Sequence, residues 1–238
     1  MLSLKEYANL QYHDVLNPVL WADNNTLLPD VETKLKEIAK AFISSLKMNE
    51  SLIKDIVLTG SSANYNYSKL SDLDIHIIAD YNPDAKNSTG ITNQTVFDTA
   101  RNNFNFTHKI KVNGLPSEVY VQPDSAIFTS NAGVYSLRSN KWLKEPVNEH
   151  IVYNNAEIKA KARPLMMMID NLVKSNSPDK NAIKEVKDKI WGMRASGMGA
   201  NGNEFQIENI VFKSLRNEGY LKKLLDYEAK QNDKSLSL

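Results

Sequence analysis

The apolar residues follow two different spacings in the first third of the chain. Residues 30–46 repeat them every three or four positions after Asp30, a residue type that caps helices, which predicts an amphipathic helix. Residues 53–58 and 73–79 are short apolar runs, and Gly60 closely follows the first, so both are typical of buried strands. A helix followed by two strands indicates a mixed α/β region.

The middle of the chain alternates loop, helix and hairpin signals. Residues 80–90 are polar and contain proline and glycine, which predicts a surface loop, and residues 94–104 carry the apolar stripe of a helix. Asn113-Gly114 lies between two segments of strand composition, 108–112 and 118–122, and this arrangement predicts a β-hairpin. Residues 126–137 are compatible with one more strand or with a loop around Gly133.

The last third of the chain has helical spacing and few strand signals. Four glycines between residues 192 and 202 predict a loop, and Gly219 is expected to bend or interrupt the last helix. The change of pattern divides the chain near residue 150 into a mixed α/β part and a helical part. The predicted helices cover residues 156–174, residues 178 to about 191, and residues 204 to about 230.

Composition places this pattern in an ordinary globular protein. The chain has 42% hydrophobic and 24% charged residues and a formal net charge of +1, so its charge indicates no large nucleic-acid or membrane surface. The absence of cysteine excludes disulfides and thiolate metal sites. No apolar run reaches the ~20 residues that span a bilayer, and the first residues lack the apolar core of a signal peptide. We therefore expect a cytoplasmic protein with no membrane partner.

Two aspartates occupy alternate positions at the start of the second apolar run. Residues two apart in a strand point to the same face, so Asp72 and Asp74 would share one space and repel each other. A cation such as Mg²⁺ removes the conflict because it prefers hard oxygen ligands. Nucleotidyl transfer uses two such ions, one at each end of an in-line displacement. His76 points to the same face, either as a substrate contact or as a structural donor.

Two other short motifs complete the candidate site. Glu118 is the best third carboxylate because it opens a strand of alternating apolar residues after the hairpin, whereas Asp124 follows Pro123 and fits a turn. Gly60-Ser61 suits phosphate, because glycine allows close backbone approach and backbone N–H groups with the Ser61 hydroxyl can hold phosphate oxygens.

Together these motifs resemble the signature of the DNA polymerase beta-type nucleotidyltransferase superfamily. The string Leu58-Thr59-Gly60-Ser61, then ten residues, then Asp72-Leu73-Asp74-Ile75 matches its first two parts. Ser117-Glu118-Val119 matches the third part except that Ser117 is polar. The resemblance covers residues 50–122. Residues 191–194 and 204–209 also resemble uncharacterised phage-encoded members of this superfamily.

The resemblance implies an α+β fold: a nucleotidyltransferase-like mixed sheet with flanking helices, followed by a C-terminal helical domain. It implies a catalytic domain at residues 1–150 and a helical domain at residues 151–238. By the same resemblance Gly60 and Ser61 would bind the triphosphate of an NTP such as ATP, and Asp72, Asp74 and Glu118 would be the catalytic residues, holding two Mg²⁺ or Mn²⁺ ions.

We therefore expect a transferase that moves a nucleoside monophosphate from an NTP to a hydroxyl acceptor and releases pyrophosphate. The acceptor is open among a tRNA or other RNA end, a small molecule and a protein side chain. Arg194, in the predicted loop 192–202, could contact the phosphates of the nucleotide, or the loop could only connect helices. The alternative from another class is a non-catalytic nucleotide-binding or protein-interaction module.

Overall fold

The computed structural model describes residues 13–69, 71–126, 132–148, 154–175, 180–197 and 206–237. The chain divides into two compact units, one of residues 10–150 and one within residues 151–238. The first unit contains α1 (Pro29–Ser45), β1 (Ile53–Thr59), β2 (Leu73–Ala79), α2 (Asn93–Thr107), β3 (Lys111–Val112), β4 (Leu115–Pro123), β5 (Val134–Ser136) and β6 (Lys141–Lys144). The second contains α3 (Asn155–Lys174), α4 (Lys180–Gly197), α5 (Ile207–Asn217) and α6 (Tyr220–Leu236).

The strands of the first unit form one mixed sheet in the order β3-β4-β2-β1-β5-β6. β2 and β4 run parallel, and every other neighbouring pair is antiparallel. Parallel neighbours need a crossover connection, and α2 lies in the one between them. The predicted mixed sheet with flanking helices is confirmed. Because β2 and β4 run in the same direction, the residues at their starts lie together at the same end of the two strands.

The two faces of β2 have different environments. Its residues alternate between buried and half-buried along the whole strand. The buried face belongs to a hydrophobic core that also contains Leu35 and Phe42 of α1, both fully buried. Burying each such side chain contributes about 1.5–3 kcal/mol, so this layer holds the sheet in place. The opposite, half-buried face carries Asp74 and His76.

The predicted hairpin is present, but its second strand starts earlier than expected. Asn113 (φ 49°) and Gly114 (φ 85°) form a two-residue turn in which both residues are left-handed, the geometry that favours Asn-Gly. β4 then begins at Leu115, so Glu118 lies within the strand and not at its head. Its parallel pairing with β2, which the sequence did not predict, fixes the position of Glu118.

The outer edge of β4 is closed by groups that do not belong to a strand. The side-chain amide of Asn105 on α2 accepts from the backbone N–H of Val119 over 3.1 Å and donates to its carbonyl over 3.3 Å. The backbone N–H of Ser117 donates to the carbonyl of Ile110 over 3.0 Å. These bonds supply partners that a neighbouring strand would otherwise provide, as buried backbone groups require.

Several predicted boundaries shift in the first unit. α1 begins at Pro29, with Leu28 in the N-cap position, so Asp30 is a first-turn acid and not the cap. Pro is favoured there because the first N–H groups of a helix have no intrahelical acceptor. Residues 126–137, which were compatible with a strand or a loop, contain strand β5, and residues 127–131 lie outside the described residues.

The predicted loop 192–202 is wrong for its first half. α4 continues through Gly192 to Gly197, and residues 198–205 lie outside the described residues. Gly197 is buried, and a Cβ there would lie 2.8 Å from Cβ of Glu208 on α5, so this glycine allows two helices to approach closely. A glycine inside a helix costs only about 1 kcal/mol, which helix packing can offset.

The long predicted helix of residues 204–230 is two helices. Gly219 (φ 75°) separates α5 from α6, as expected for a left-handed glycine after a helix end. The predicted start of α4 at residues 178–179 lies outside the described residues. Within the part of the chain that the structure describes, each helix is too short or too polar to span a bilayer.

Candidate metal and nucleotide site

Three carboxylates meet where β2 and β4 begin. Asp72 immediately precedes β2, and Asp74 is paired in register with Glu118 of the parallel strand β4. One carboxylate oxygen of each residue lies within 4.8 Å of an oxygen of the other two, and all three side chains are half-buried. The structure thus brings together the three acids predicted from the sequence.

The donor set fits a hard divalent cation. Two oxygens bound to one Mg²⁺ lie at most about 4.2 Å apart, because each Mg–O bond is about 2.1 Å long. Oxygens within 4.8 Å of one another reach that spacing through small side-chain rotations. Like charges held this close also repel, and a cation would relieve that repulsion. Asp72, Asp74 and Glu118 are therefore an acidic triad able to bind a divalent metal.

Gly60 lies against Asp74. It adopts φ 77° and ψ −162°, a backbone conformation that is almost restricted to glycine. A Cβ at this position would lie 2.0 Å from Oδ2 of Asp74. The sequence predicted that this glycine lets phosphate approach the backbone; in the structure, the space beside it holds the Asp74 carboxylate. Gly60 is thus required for the position of a triad residue.

The loop between Gly60 and Asp72 is fixed by its serines. The Ser61 hydroxyl donates to the Ser71 hydroxyl over 2.8 Å, and the Ser62 hydroxyl donates to the carbonyl of Asp72 over 2.6 Å. Trp21 donates from Nε1 to the carbonyl of Ser62 over 2.8 Å. These bonds hold the end of β1 close to the start of β2. Ser61 lies beside β2, and its hydroxyl is bonded to that of Ser71.

Tyr120 extends the site along β4 and was missed at the sequence level. Its hydroxyl donates a short hydrogen bond to Oε2 of Glu118, two residues earlier on the same strand face. Burial, followed by this hydrogen bond and the nearby Asp74 charge, raises the pKa of Tyr120 far above its ordinary value, so the hydroxyl keeps its proton. The signal available in the sequence was the i, i+2 spacing from Glu118.

His76 occupies the position opposite Tyr120 in the register of β2 and β4. Its Nδ1 donates to Oε1 of Gln122 over 2.7 Å, and its ring lies 4.9 Å from the Tyr120 ring. Burial lowers the pKa of His76, and the bond to Gln122 opposes that shift. Within this unit His76 thus packs beside the triad and supports Tyr120.

Two other predicted residues lie elsewhere in the chain. Asp124, the rival of Glu118, follows the far end of β4 in a turn, and its backbone N–H donates to the carbonyl of Ala79 over 2.9 Å. Arg194 lies on α4 of the helical unit, with its guanidinium 4.4 Å from the centre of the Phe212 ring. Its role in binding nucleotide stays a prediction.

A cavity of about 450 Å³ opens elsewhere in the first unit, and none of the triad residues lines it. Three cationic side chains face it, but two of them have partners. Lys36 pairs with Glu32 at 2.5 Å, and Arg138 donates from Nη1 to the carbonyl of Ile53 over 2.9 Å. We therefore assign the candidate chemistry to the triad and not to this cavity.

Comparisons with known proteins add little to this geometry. No protein-family profile and no curated protein matches the sequence significantly. One similar solved structure is a STING-associated CdnE c-di-GMP synthase from Capnocytophaga granulosa. It shares 12% sequence identity over 88% of this chain and 84% of that chain, with a TM-score of 0.19. A similarity of that size carries no argument, so the interpretation depends on the site itself.

Proposed function

We propose that this protein is a metal-dependent nucleotidyltransferase that moves a nucleoside monophosphate from an NTP to a hydroxyl acceptor and releases pyrophosphate. The observation that carries the proposal is the triad: carboxylates from two parallel strands converge within 4.8 Å at one edge of a mixed sheet. The glycine turn adjoining Asp74 supports it, because the turn places backbone groups beside the acids.

Each residue of the site has a distinct part in this proposal. Asp72 and Asp74 would hold two divalent ions, and Glu118 would hold the one on the acceptor side and attract the proton of the attacking hydroxyl. The bound ions would lower the pKa of that hydroxyl and stabilise charge on the leaving pyrophosphate. Gly60 and Ser61 would contact the triphosphate. Thr59 pairs with Asp74, so the two residues that follow Thr59 lie next to the triad.

Three classes of acceptor are compatible with the proposal. An RNA end such as that of tRNA and a small molecule rank equally, since the net charge of +1 supports no extended nucleic-acid surface. A protein side chain ranks third. The second candidate function is a nucleotide-binding or interaction module without catalysis, and the same experiment separates it from the enzyme.

The test is transfer of label from each of the four NTPs, labelled at the α-phosphate, to total RNA, a protein lysate and a panel of small hydroxyl compounds. We expect Mg²⁺- or Mn²⁺-dependent transfer that is lost in Asp72→Asn and Glu118→Gln. Asp124→Asn is the matched control, because Asp124 lies six residues, or about 20 Å, further along the chain from Glu118. That variant should transfer like the wild type.

The outcomes separate the candidates. Transfer that survives both triad substitutions would refute the assignment of the site. Metal-dependent NTP binding that is lost with the triad, in the absence of transfer to any acceptor, would favour the binding module.

A further inference from the structure

The hydrogen bond between Tyr120 and Glu118 is the starting observation. Both side chains lie on the half-buried face of β4, and the hydroxyl of Tyr120 donates to Oε2 of Glu118. A carboxylate turns freely about its terminal bond unless a partner holds one oxygen. This bond therefore restricts the orientation of the acid that completes the triad.

The ring of the donor, Tyr120, is itself contacted by side chains from two neighbouring elements. The His76 ring lies 4.9 Å away, at an angle of 38°, on the neighbouring strand β2. The guanidinium carbon of Arg101, on α2, lies 5.1 Å from the centre of the Tyr120 ring. Arg101 is in turn placed by Asp98 at 3.4 Å and by Asn102 at 3.0 Å. A packed ring gives its hydroxyl a defined position.

We propose that Tyr120 is a positioning residue, whose hydroxyl holds the Glu118 carboxylate in the orientation that brings it within 4.8 Å of Asp72 and Asp74. This inference builds on the proposed function, since it assigns a partner to a proposed metal ligand. Removing a group that orients a metal ligand typically lowers metal affinity about 10–100-fold.

Tyr120→Phe tests the inference, with Tyr81→Phe as the matched control. Tyr81 is also half-buried and also donates its hydroxyl to a side chain, Gln94 at 2.8 Å, but it follows the far end of β2 from the triad. Mn²⁺ binding, measured by electron paramagnetic resonance without nucleotide, should weaken by about 10-fold in Tyr120→Phe and stay unchanged in Tyr81→Phe.

Three further measurements separate a positioning role from a general structural one. In the Glu118→Gln background, adding Tyr120→Phe should not weaken Mn²⁺ binding further, because Tyr120 acts through Glu118. Arg101→Gln removes one contact of the Tyr120 ring but keeps the Tyr120 hydroxyl itself. It should therefore also weaken Mn²⁺ binding, by a smaller factor than Tyr120→Phe. In transfer assays, kcat should fall in Tyr120→Phe while KM for the NTP stays nearly constant.

Each result has a defined meaning. Unchanged Mn²⁺ binding in Tyr120→Phe would overturn the inference and leave the proposed function in place. A loss that persists undiminished in the Glu118→Gln background would also overturn it. If the wild type binds Mn²⁺ and transfers no nucleotide, the proposed function fails, while the Mn²⁺ measurements still decide the role of Tyr120. A wild type that binds no Mn²⁺ would refute both.

Discussion

The acidic triad of the α/β unit and two paired glutamates of the helical unit use their negative charge in opposite ways. In the helical unit, Glu208 lies 2.7 Å from Lys161 and Glu228 lies 2.7 Å from Lys187, so the chain itself provides the counter-charge. In the α/β unit, three carboxylates are gathered within 4.8 Å of one another. Paired acids add modestly to stability, whereas gathered acids cost free energy until a cation joins them. The second arrangement is therefore the one that indicates function.

Asp74→Asn is the most stringent test of this contrast between the triad and the paired acids. We expect at least an approximately 10³-fold loss of transfer, the scale of removing one essential member of a catalytic set. The same change removes one of three crowded charges, so in EDTA the variant should melt no lower than the wild type. Thermal denaturation and the transfer assay together measure both effects.

Glu228→Gln is the matched control for Asp74→Asn in the helical unit. It should keep full transfer and lower the melting temperature slightly, the reverse pattern. If Asp74→Asn destabilised the folded protein in EDTA more than Glu228→Gln does, the triad would be a structural network, and the contrast between the units would be wrong.

A smaller but still large effect is expected from Gly60→Ala. A Cβ at this position would lie 2.0 Å from Oδ2 of Asp74 and would also strain a backbone with φ 77°. We expect a loss of about 1–3 kcal/mol of stability from the strain, together with weaker Mn²⁺ binding from displacement of Asp74. Chemical denaturation and Mn²⁺ titration measure the two parts.

Gly90→Ala isolates the second part. Gly90 has φ 81°, and a Cβ there would meet no atom within 4 Å, so this variant is strained without touching the triad. It should lose stability and keep its metal affinity. Equal Mn²⁺ affinities in the two variants would mean that Gly60 does not position Asp74.

The smallest effect concerns the paired acids and depends on pH. The hydrogen bond from Lys161 lowers the pKa of the Glu208 carboxyl from its ordinary value in the folded state. Stability from a lowered carboxyl pKa is fully present above the unfolded value and disappears as pH falls through the folded one. Near pH 7, Glu208→Gln should therefore lower the melting temperature by about 1–3 °C.

The difference in melting temperature between Glu208→Gln and the wild type should shrink as the pH is lowered through and below the ordinary carboxyl pKa. A difference that stays constant with pH would show that Glu208 acts through packing alone, and its pairing with Lys161 would then have no part in the contrast between the units.

Local patterns predicted much of the α/β unit. The 73–79 run matches β2, and Asn113-Gly114 forms the expected turn, because both depend on residues that are close in sequence. The i, i+2 rule also placed Asp72 and Asp74 together. The sequence could not predict the parallel pairing of β2 with β4, which joins segments separated by a whole helix and determines where Glu118 lies.

The errors share a physical origin. The glycines predict a loop at residues 192–202, but α4 continues to Gly197, which is a contact residue between α4 and α5. The same residue type has a third use at Gly60, where it leaves room for a carboxylate. Which use applies depends on what packs against the residue, and a single sequence does not contain that information. Tyr120 was missed for the same reason.

The closed edge of β4 has a consequence for how the protein behaves at high concentration. Exposed strand edges are sites where copies of a chain join into extended sheets. Asn105 and the carbonyl of Ile110 already occupy the outer hydrogen-bonding groups of Val119 and Ser117. Strand addition is therefore hindered along this stretch of β4, on the side nearest the triad. Among the described strands, polymerisation would have to start at one of the two edge strands, β3, which has two residues, or β6, which has a lysine at each end.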